Sequence, residues 1–191
     1  MIDVVLASRS PRRTALLTMI GLVHRTVPSK VEELMHPFAD PMEEVLRLAR
    51  EKGEDVFRSY PHALVLAFDT IVVVQGTVLG KPKDADDARE MLRRLSGTWH
   101  TVMTGVALFR KGYVTQLDVV TTQVKFAELS DRLIEQYIKT GEPFDKAGAY
   151  GIQGKGALLV ERLEGDYYNV VGLPLHRTVQ LLEQMGISVW G

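Results

Sequence analysis

Apolar residues along this chain recur at alternating spacings, period two in some stretches and helical in others. Val4-Val5-Leu6-Ala7 is a short apolar run that predicts a buried strand. Ser10-Pro11 follows, an N-cap with proline at the first helical position, and predicts a helix to about Ile20 that stops at Gly21. A second short strand is expected near Leu22 to Val27. Asp40-Pro41-Met42-Glu43 is a capping box that opens a helix to about Phe57, with Leu46 and Ala49 on one face and Val45 and Leu48 beside them.

The apolar run from Ala63 to Phe68 predicts a buried strand that leaves the core at Asp69-Thr70, before a second β-rich run, Ile71 to Val74. Gln75-Gly76 reads as a tight turn with Thr77-Val78-Leu79 returning. Asp84 starts a helix that carries Ala85, Ala88, Met91, Leu92 and Leu95 at helical spacing and ends at Ser96-Gly97. Thr98 to about Phe126 reads as a long hairpin turning at Arg110-Lys111-Gly112, and Ser130 caps a helix to Lys139. A glycine-rich segment, 148–156, precedes a strand from Leu158 to Arg162, a short segment from Tyr168 to Gly172 and a helix from about Leu175 to Met185. With no repeat and no long linker, the fold class is α/β: a mixed twisted sheet with flanking helices.

Composition narrows the chemistry. The chain has 191 residues, room for one compact domain or one domain with a smaller lobe. A net charge of −1 provides no broad attraction to nucleic acid or an anionic membrane, so any anion must be held by a local cluster. Zero cysteines exclude disulfides, thiolate zinc sites, iron–sulfur clusters and a cysteine nucleophile. The first residues do not read as a signal peptide, because Asp3 interrupts a short apolar run with no basic stretch before it. No stretch approaches the ~20 apolar residues of a membrane span. A cytoplasmic protein is expected.

Four places in the chain bear on ligand chemistry. The helix start at Ser10 offers free N–H groups to an anion, and Arg12 and Arg13 stand in the same turn, where they oppose the helix dipole unless something negative binds there. An ordinary capped helix whose arginines pair with nearby acids explains the same residues. Asp69, at the end of an apolar run, is placed to bind a metal or take a proton, although an acid capping a turn is common. Lys81, stiffened by Pro82, is a point charge suited to phosphate or a solvated loop lysine. Gly141 to Gly148 leads into the glycine-rich segment without Walker or dinucleotide spacing. His24, His36, His62, His100 and His176 form no spaced metal motif, and His100 is expected to be a surface or satisfied strand residue.

Taken in order, L-A-S-R-S-P-R-R at 6–13, E-E at 32–33, R-L-A-R-E-K at 47–52, D-T at 69–70 and L-G-K-P at 79–82 resemble the Maf family of nucleoside triphosphate pyrophosphatases. A-R-E-M-L-R-R-L-S-G-T-W-H-T-V at 88–102, G-E-P-F-D-K-A-G-A-Y-G-I-Q-G at 141–154 and V-V-G-L-P-L at 170–175 extend the likeness over nearly the whole chain. The resemblance implies a single domain, 1–191, with an elongated, two-lobed fold related to the inosine-triphosphate pyrophosphatases and a nucleotide cleft between the lobes. It also implies hydrolysis of a nucleoside triphosphate to monophosphate and pyrophosphate with a divalent metal, Mg²⁺ or Mn²⁺, in a homodimer. G-A-Y-G-I-Q-G is similar to the subgroup acting on dTTP and UTP; a subgroup acting on 7-methyl-GTP usually has glutamate in place of Gln153.

By motif, Asp69 is the implied proton acceptor, and Arg12, Thr70 and Gln153 set base preference. Ser8, Arg13, Lys52 and Lys81 are implied phosphate-pocket residues, Glu33 and Asp69 metal ligands, and Asp145 a further acid that could share the metal. One departure stands out. The family usually reads G-A-D-T at the acid, and this chain reads Ala67-Phe68-Asp69-Thr70, with Phe68 expected by strand alternation to point away from Asp69. The alternatives are a pyrophosphatase for modified or other nucleotides and a nucleotide-sensing regulator of cell division without turnover.

Overall fold

In the computed structural model, which describes residues 2–34, 36 and 40–190, the opening apolar run forms strand β1 (Val4–Leu6). Helix α1 (Pro11–Met19) follows, its Ser10 hydroxyl accepting from the Arg13 N–H, and Gly21 takes a left-handed φ of 74° just past its end. Strand β2 is only Arg25–Thr26, shorter than the expected run. Helix α2 (Pro41–Ser59) is capped by Asp40, whose carboxylate accepts from the Met42 and Glu43 N–H groups. Its buried stripe is Val45, Leu48, Ala49, Lys52, Gly53 and Val56, while Leu46, expected on that face, is only half-buried.

The apolar run at 63 does not end at the acid. Strand β3 (Leu64–Val74) continues unbroken through Asp69 and Thr70. Asp69 is therefore a mid-strand residue, and its carboxylate is buried rather than released at a strand end. Hydrogen bonding explains the continuity: β1 pairs in parallel with Leu64 to Leu66, and β4 (Thr77–Leu79) pairs antiparallel with Val72 to Val74. Helix α3 (Ala85–Leu95) and the strands β5 (Trp99–Phe109) and β6 (Gln116–Phe126) follow as the pattern predicts.

Helix α4 (Asp131–Ile138) leads into the glycine-rich stretch, which is built of three 3₁₀ turns, Glu142–Asp145, Ala147–Ala149 and Gly154–Leu159. The last of these occupies the start expected for a strand, so β7 is Val160–Glu164. The short segment after it is helical, α5 (Tyr167–Val171), and α6 (Leu175–Gln184) closes the fold. The seven-stranded sheet runs β2-β1-β3-β5-β6-β7, with β4 paired to β3 off that path. The observed class is thus a mixed α/β fold, with parallel and antiparallel pairs in one sheet.

The chain divides into two compact units. The first is Met1–Asp69, Thr104–Val120 and Gly172–Gly191; the second is Thr70–Met103 and Thr121–Val171. The core of the first gathers Val5, Ala49, Val56, Val65, Ala67 and Ala107 around Phe109. Here α2 lies unusually close to β5: a Cβ on Gly53 would stand 2.2 Å from the Phe109 ring, and one on Gly105 2.4 Å from the Val45 carbonyl oxygen. Two glycines thereby set the depth at which Lys52, next to Gly53, enters the core. The core of the second unit packs Val72, Leu92, Val124, Phe126, Ile134 and Tyr150. Among the described residues, no helix is long and apolar enough to cross a membrane.

Candidate active site

In the first unit the sequence-derived residues converge. Lys52 Nζ is an almost wholly buried ammonium that donates to Asp69 Oδ1 and, at 2.6 Å, to Glu33 Oε1. A buried ammonium needs such partners, since removal from water costs several kcal/mol per ion. Three elements meet in this one cluster: α2 supplies the lysine, β3 the aspartate and the irregular segment before α2 the glutamate.

Arg13, from the first turn of α1, is oriented by its own contacts. Its Nε donates to the Gly172 carbonyl at 2.7 Å and its Nη1 to the Ser8 hydroxyl at 3.3 Å. Ser8 also accepts from the Ser10 N–H at 3.1 Å, so one hydroxyl ties the end of β1 to the start of α1. The Arg13 guanidinium carbon lies 5.8 Å from the centroid of the Phe68 ring. Phe68 is fully buried, so it extends the apolar floor beneath a cation. The same cation is pushed down to about 10 by burial; Asp69 and Glu33 pull it back up, and Arg12 adds repulsion. Arg13 thus stays charged at neutral pH in the field of both carboxylates.

Thr70, Lys81 and Gln153 belong to the second unit. Lys81 is exposed on the loop after β4, beside Gly80, whose carbonyl accepts from the Gly148 N–H at 3.0 Å. Gly148 takes a φ of 68°, and a Cβ there would come within 3.0 Å of Val72, which explains glycine at that point. Gln153 is exposed on an extended backbone held on both sides. Tyr137 Oη accepts from the Gly151 N–H at 3.2 Å, and the Glu142 carboxylate from the Lys155 and Gly156 N–H groups at 3.1 and 3.2 Å. Asp145 pairs with Lys146 at 2.6 Å.

Beneath this loop, Tyr150 Oη and His100 Nε2 share a hydrogen bond of 2.7 Å, with Phe126 edge-on to both rings. His100 is buried, and burial pushes its imidazole down to about 4. It is a core residue of the loop's foundation, satisfied at one nitrogen, while Nδ1 has no hydrogen-bond partner among the described residues. Sequence reasoning did not single out three contributors: the Gly172 carbonyl, the Glu142 carboxylate as a loop clamp and the Phe68 ring under Arg13. Two of them lie in motifs that the sequence displays, V-V-G-L-P-L and G-E-P-F-D-K, but a backbone carbonyl and a clamp on amides leave no mark in residue type.

Among the described residues no group of three or more His, Asp or Glu side chains could hold a metal alone. Glu33 and Asp69, brought to a shared lysine, are nonetheless a hard oxygen donor pair. That set fits Mg²⁺ or Mn²⁺, which takes one or two carboxylates and completes its shell from phosphates and water. It does not suit zinc or a soft metal.

Comparison with known proteins identifies the family. The family model described as "Maf-like protein" matches residues 3–185. A dTTP/UTP pyrophosphatase of Halalkalibacterium halodurans is 52% identical over 184 residues, 96% of each chain. One from Symbiobacterium thermophilum is 52% identical over 188 residues, 98% of this chain and 96% of that one. Among solved structures, a Staphylococcus aureus Ham1 protein superposes with a TM-score of 0.48 at 16% identity, over 66% of this chain and 72% of that one. A nucleoside-triphosphatase, or dITP/XTP pyrophosphatase, from Mycobacterium abscessus gives 0.45 at 14%, over 97% of this chain and 95% of that one. With a family model covering nearly all of it and relatives half identical along their length, the chain belongs to the Maf-like family.

Proposed function

We propose that this chain is a nucleoside triphosphate pyrophosphatase that hydrolyses dTTP and UTP to the monophosphate and pyrophosphate. One observation carries the reading: a buried aspartate ion-paired to a buried lysine, in the field of Arg13, within a chain 52% identical to proteins named for that activity. A triphosphate brings about four negative charges. Arg12, Arg13 and the first-turn amides of α1 neutralise part of that charge, with Ser8, Lys52 and Lys81 assigned to the same task.

Water attacks the α-phosphorus as the bond from that phosphorus to the bridging oxygen breaks. Pyrophosphate leaves with the bonding pair, and the water proton passes to Asp69. The lysine contact engages Oδ1 of Asp69, so Oδ2, with its own lone pairs, is assigned to the proton. Glu33 and Asp69 are the residues that would hold a divalent cation, which when bound would supply neutralisation of charge on the phosphate oxygens. Gln153 presents both a carbonyl and an amide, the complement of the imide edge of uracil or thymine, and Arg12 and Thr70 are assigned to base preference with it.

The test is pyrophosphate release from dTTP, UTP, GTP and ATP, each with Mg²⁺, with Mn²⁺ and with excess chelator. Preference for dTTP and UTP, lost in chelator, is expected; no release from any of the four overturns the activity. We also infer a cytoplasmic homodimer that does not use nucleic acid or membrane. Zero cysteines and a net charge of −1 support the compartment and the absence of polyanion binding, and light scattering tests the dimer.

A further inference from the structure

Helix α2 carries a polar stripe that the mechanism above leaves largely unused: Glu44, Arg47, Glu51 and Asp55, at spacings of three and four residues, beside Lys52. An irregular segment, with neither helix nor strand at 29–34, runs along this stripe in the opposite direction, contact by contact. Asp55 Oδ2 accepts from Ser29 Oγ and the Lys30 N–H, both at 2.9 Å. Lys52 takes Glu33 at 2.6 Å, and Arg47 Nη2 donates to the Leu34 carbonyl at 2.8 Å. Glu44 Oε1 accepts from the His36 N–H at 2.7 Å.

Glu44 and Arg47 are committed to one another. Arg47 reaches Glu44 through Nε at 3.0 Å and Nη2 at 2.5 Å, and Glu51 through Nη1 at 2.8 Å. Glu44 is almost fully buried, and Arg47 foremost, with the His36 amide, holds its carboxyl down to about 2. An arginine neutralised by two acids has little charge to offer a triphosphate. What the pair does grip, outside its own helix, lies on the far side of Glu33: the Leu34 carbonyl, the His36 N–H and, at 3.3 Å from Glu44 Oε2, the His36 Nδ1.

We propose that Glu44 and Arg47 are positioning residues that, with Asp55, strap residues 29–34 and 36 along α2 and so deliver Glu33 to Lys52 and Asp69. The strap rests on the reading of Glu33 and Asp69 as site residues. A glutamate on irregular backbone is presented in one place only when both flanks are fastened, and misplacement by about 1 Å costs on the order of a hundredfold in rate.

The experiment uses the full chain and four variants: Arg47→Ala, Arg47→Lys, Glu33→Gln and the double variant Arg47→Ala/Glu33→Gln. Amide hydrogen exchange at residues 30–34 reads the strap, and kcat and KM for dTTP read the site. Arg47→Ala should speed that exchange and lower kcat about tenfold or more, with a smaller change in KM. Arg47→Lys keeps the charge but not the planar fork and should recover only part. On a Glu33→Gln background the further loss from Arg47→Ala should be small, because both act through one group. Glu44→Gln, which keeps shape and an acceptor, repeats the measurement with less risk to folding. Unchanged exchange at 30–34, or losses that multiply in the double variant, overturn the strap. A fully active Glu33→Gln instead overturns the assignment of Glu33, whatever the exchange shows.

Discussion

The acid–lysine cluster of the first unit and the glycine-rich loop of the second are held together by opposite means. In the first, charged side chains from a helix, a strand and the irregular segment before α2 meet, Lys52 against Asp69 and Glu33. The two buried members, Lys52 and Asp69, stand on regular backbone, and the side chains do the fastening. In the second, the backbone is irregular and its own N–H groups are fastened, by Tyr137 at Gly151 and by Glu142 at Lys155 and Gly156. Buried charge on rigid elements suits a group that must act on a reacting bond. A loop set by amide clamps suits a residue such as Gln153, whose proposed task is to match the shape and polarity of a base.

The largest effect should come from the charged cluster. Asp69→Asn is isosteric and should lower kcat a hundredfold or more for every triphosphate, with little change in the unfolding midpoint beyond that expected from weakening the Lys52 pair. Near wild-type turnover by a folded Asp69→Asn protein would remove the aspartate from the mechanism. Arg13→Ala comes next. It should cut kcat/KM by roughly tenfold to a hundredfold for dTTP, UTP, GTP and ATP alike, because the phosphates are common to all four.

Gln153→Glu should do the reverse of that uniform loss. It keeps an acceptor but loses the amide donor, and should weaken dTTP and UTP by roughly 1–3 kcal/mol in transition-state terms while leaving GTP and ATP little changed. Equal losses across the four nucleotides would erase the distinction between the two regions. The remaining effect is on stability rather than on rate. Burial lowers the His100 imidazole from 6.5 to about 4, so between those values the unfolded chain binds a proton that the folded chain refuses. Stability present above pH 6.5 is therefore lost as pH falls toward 4, by about 3 kcal/mol at most. Urea midpoints from pH 7 to 4 check this, and His100→Asn should flatten the slope.

The two regions also differed in how plainly they could be read. Capping signals placed α1, α2, α3 and α4 within a few residues, because Ser10, Asp40, Asp84 and Ser130 each act on amides two or three positions away. The motifs named Asp69, Lys52, Glu33 and Arg13 as members of one pocket, and these four are neighbours in contact or in electrostatic influence. The strand through Asp69 was less legible. A polar pair inside an apolar run resembles a break, and it is pairing in the sheet, with β1 before it, β4 after it and β5 as a further neighbour of β3, that makes one strand of it. The glycine-rich segment was legible as a loop but not as three 3₁₀ turns, since its shape follows from clamps supplied by Tyr137 and Glu142.

By itself, then, the sequence determined where the capped helices begin, which stripes are apolar, that cysteine chemistry is absent and to which family the chain belongs. These are properties of local backbone preference and of residue type. Tertiary structure decided what each charge touches. The Gly172 carbonyl reaches Arg13 from 159 positions away, Phe68 lies under that same guanidinium, and the stripe on α2 grips a segment whose own residues specify neither helix nor strand. Such contacts join groups whose separation along the chain is unrelated to their separation in space, so they exist only once the sheet and helices have packed.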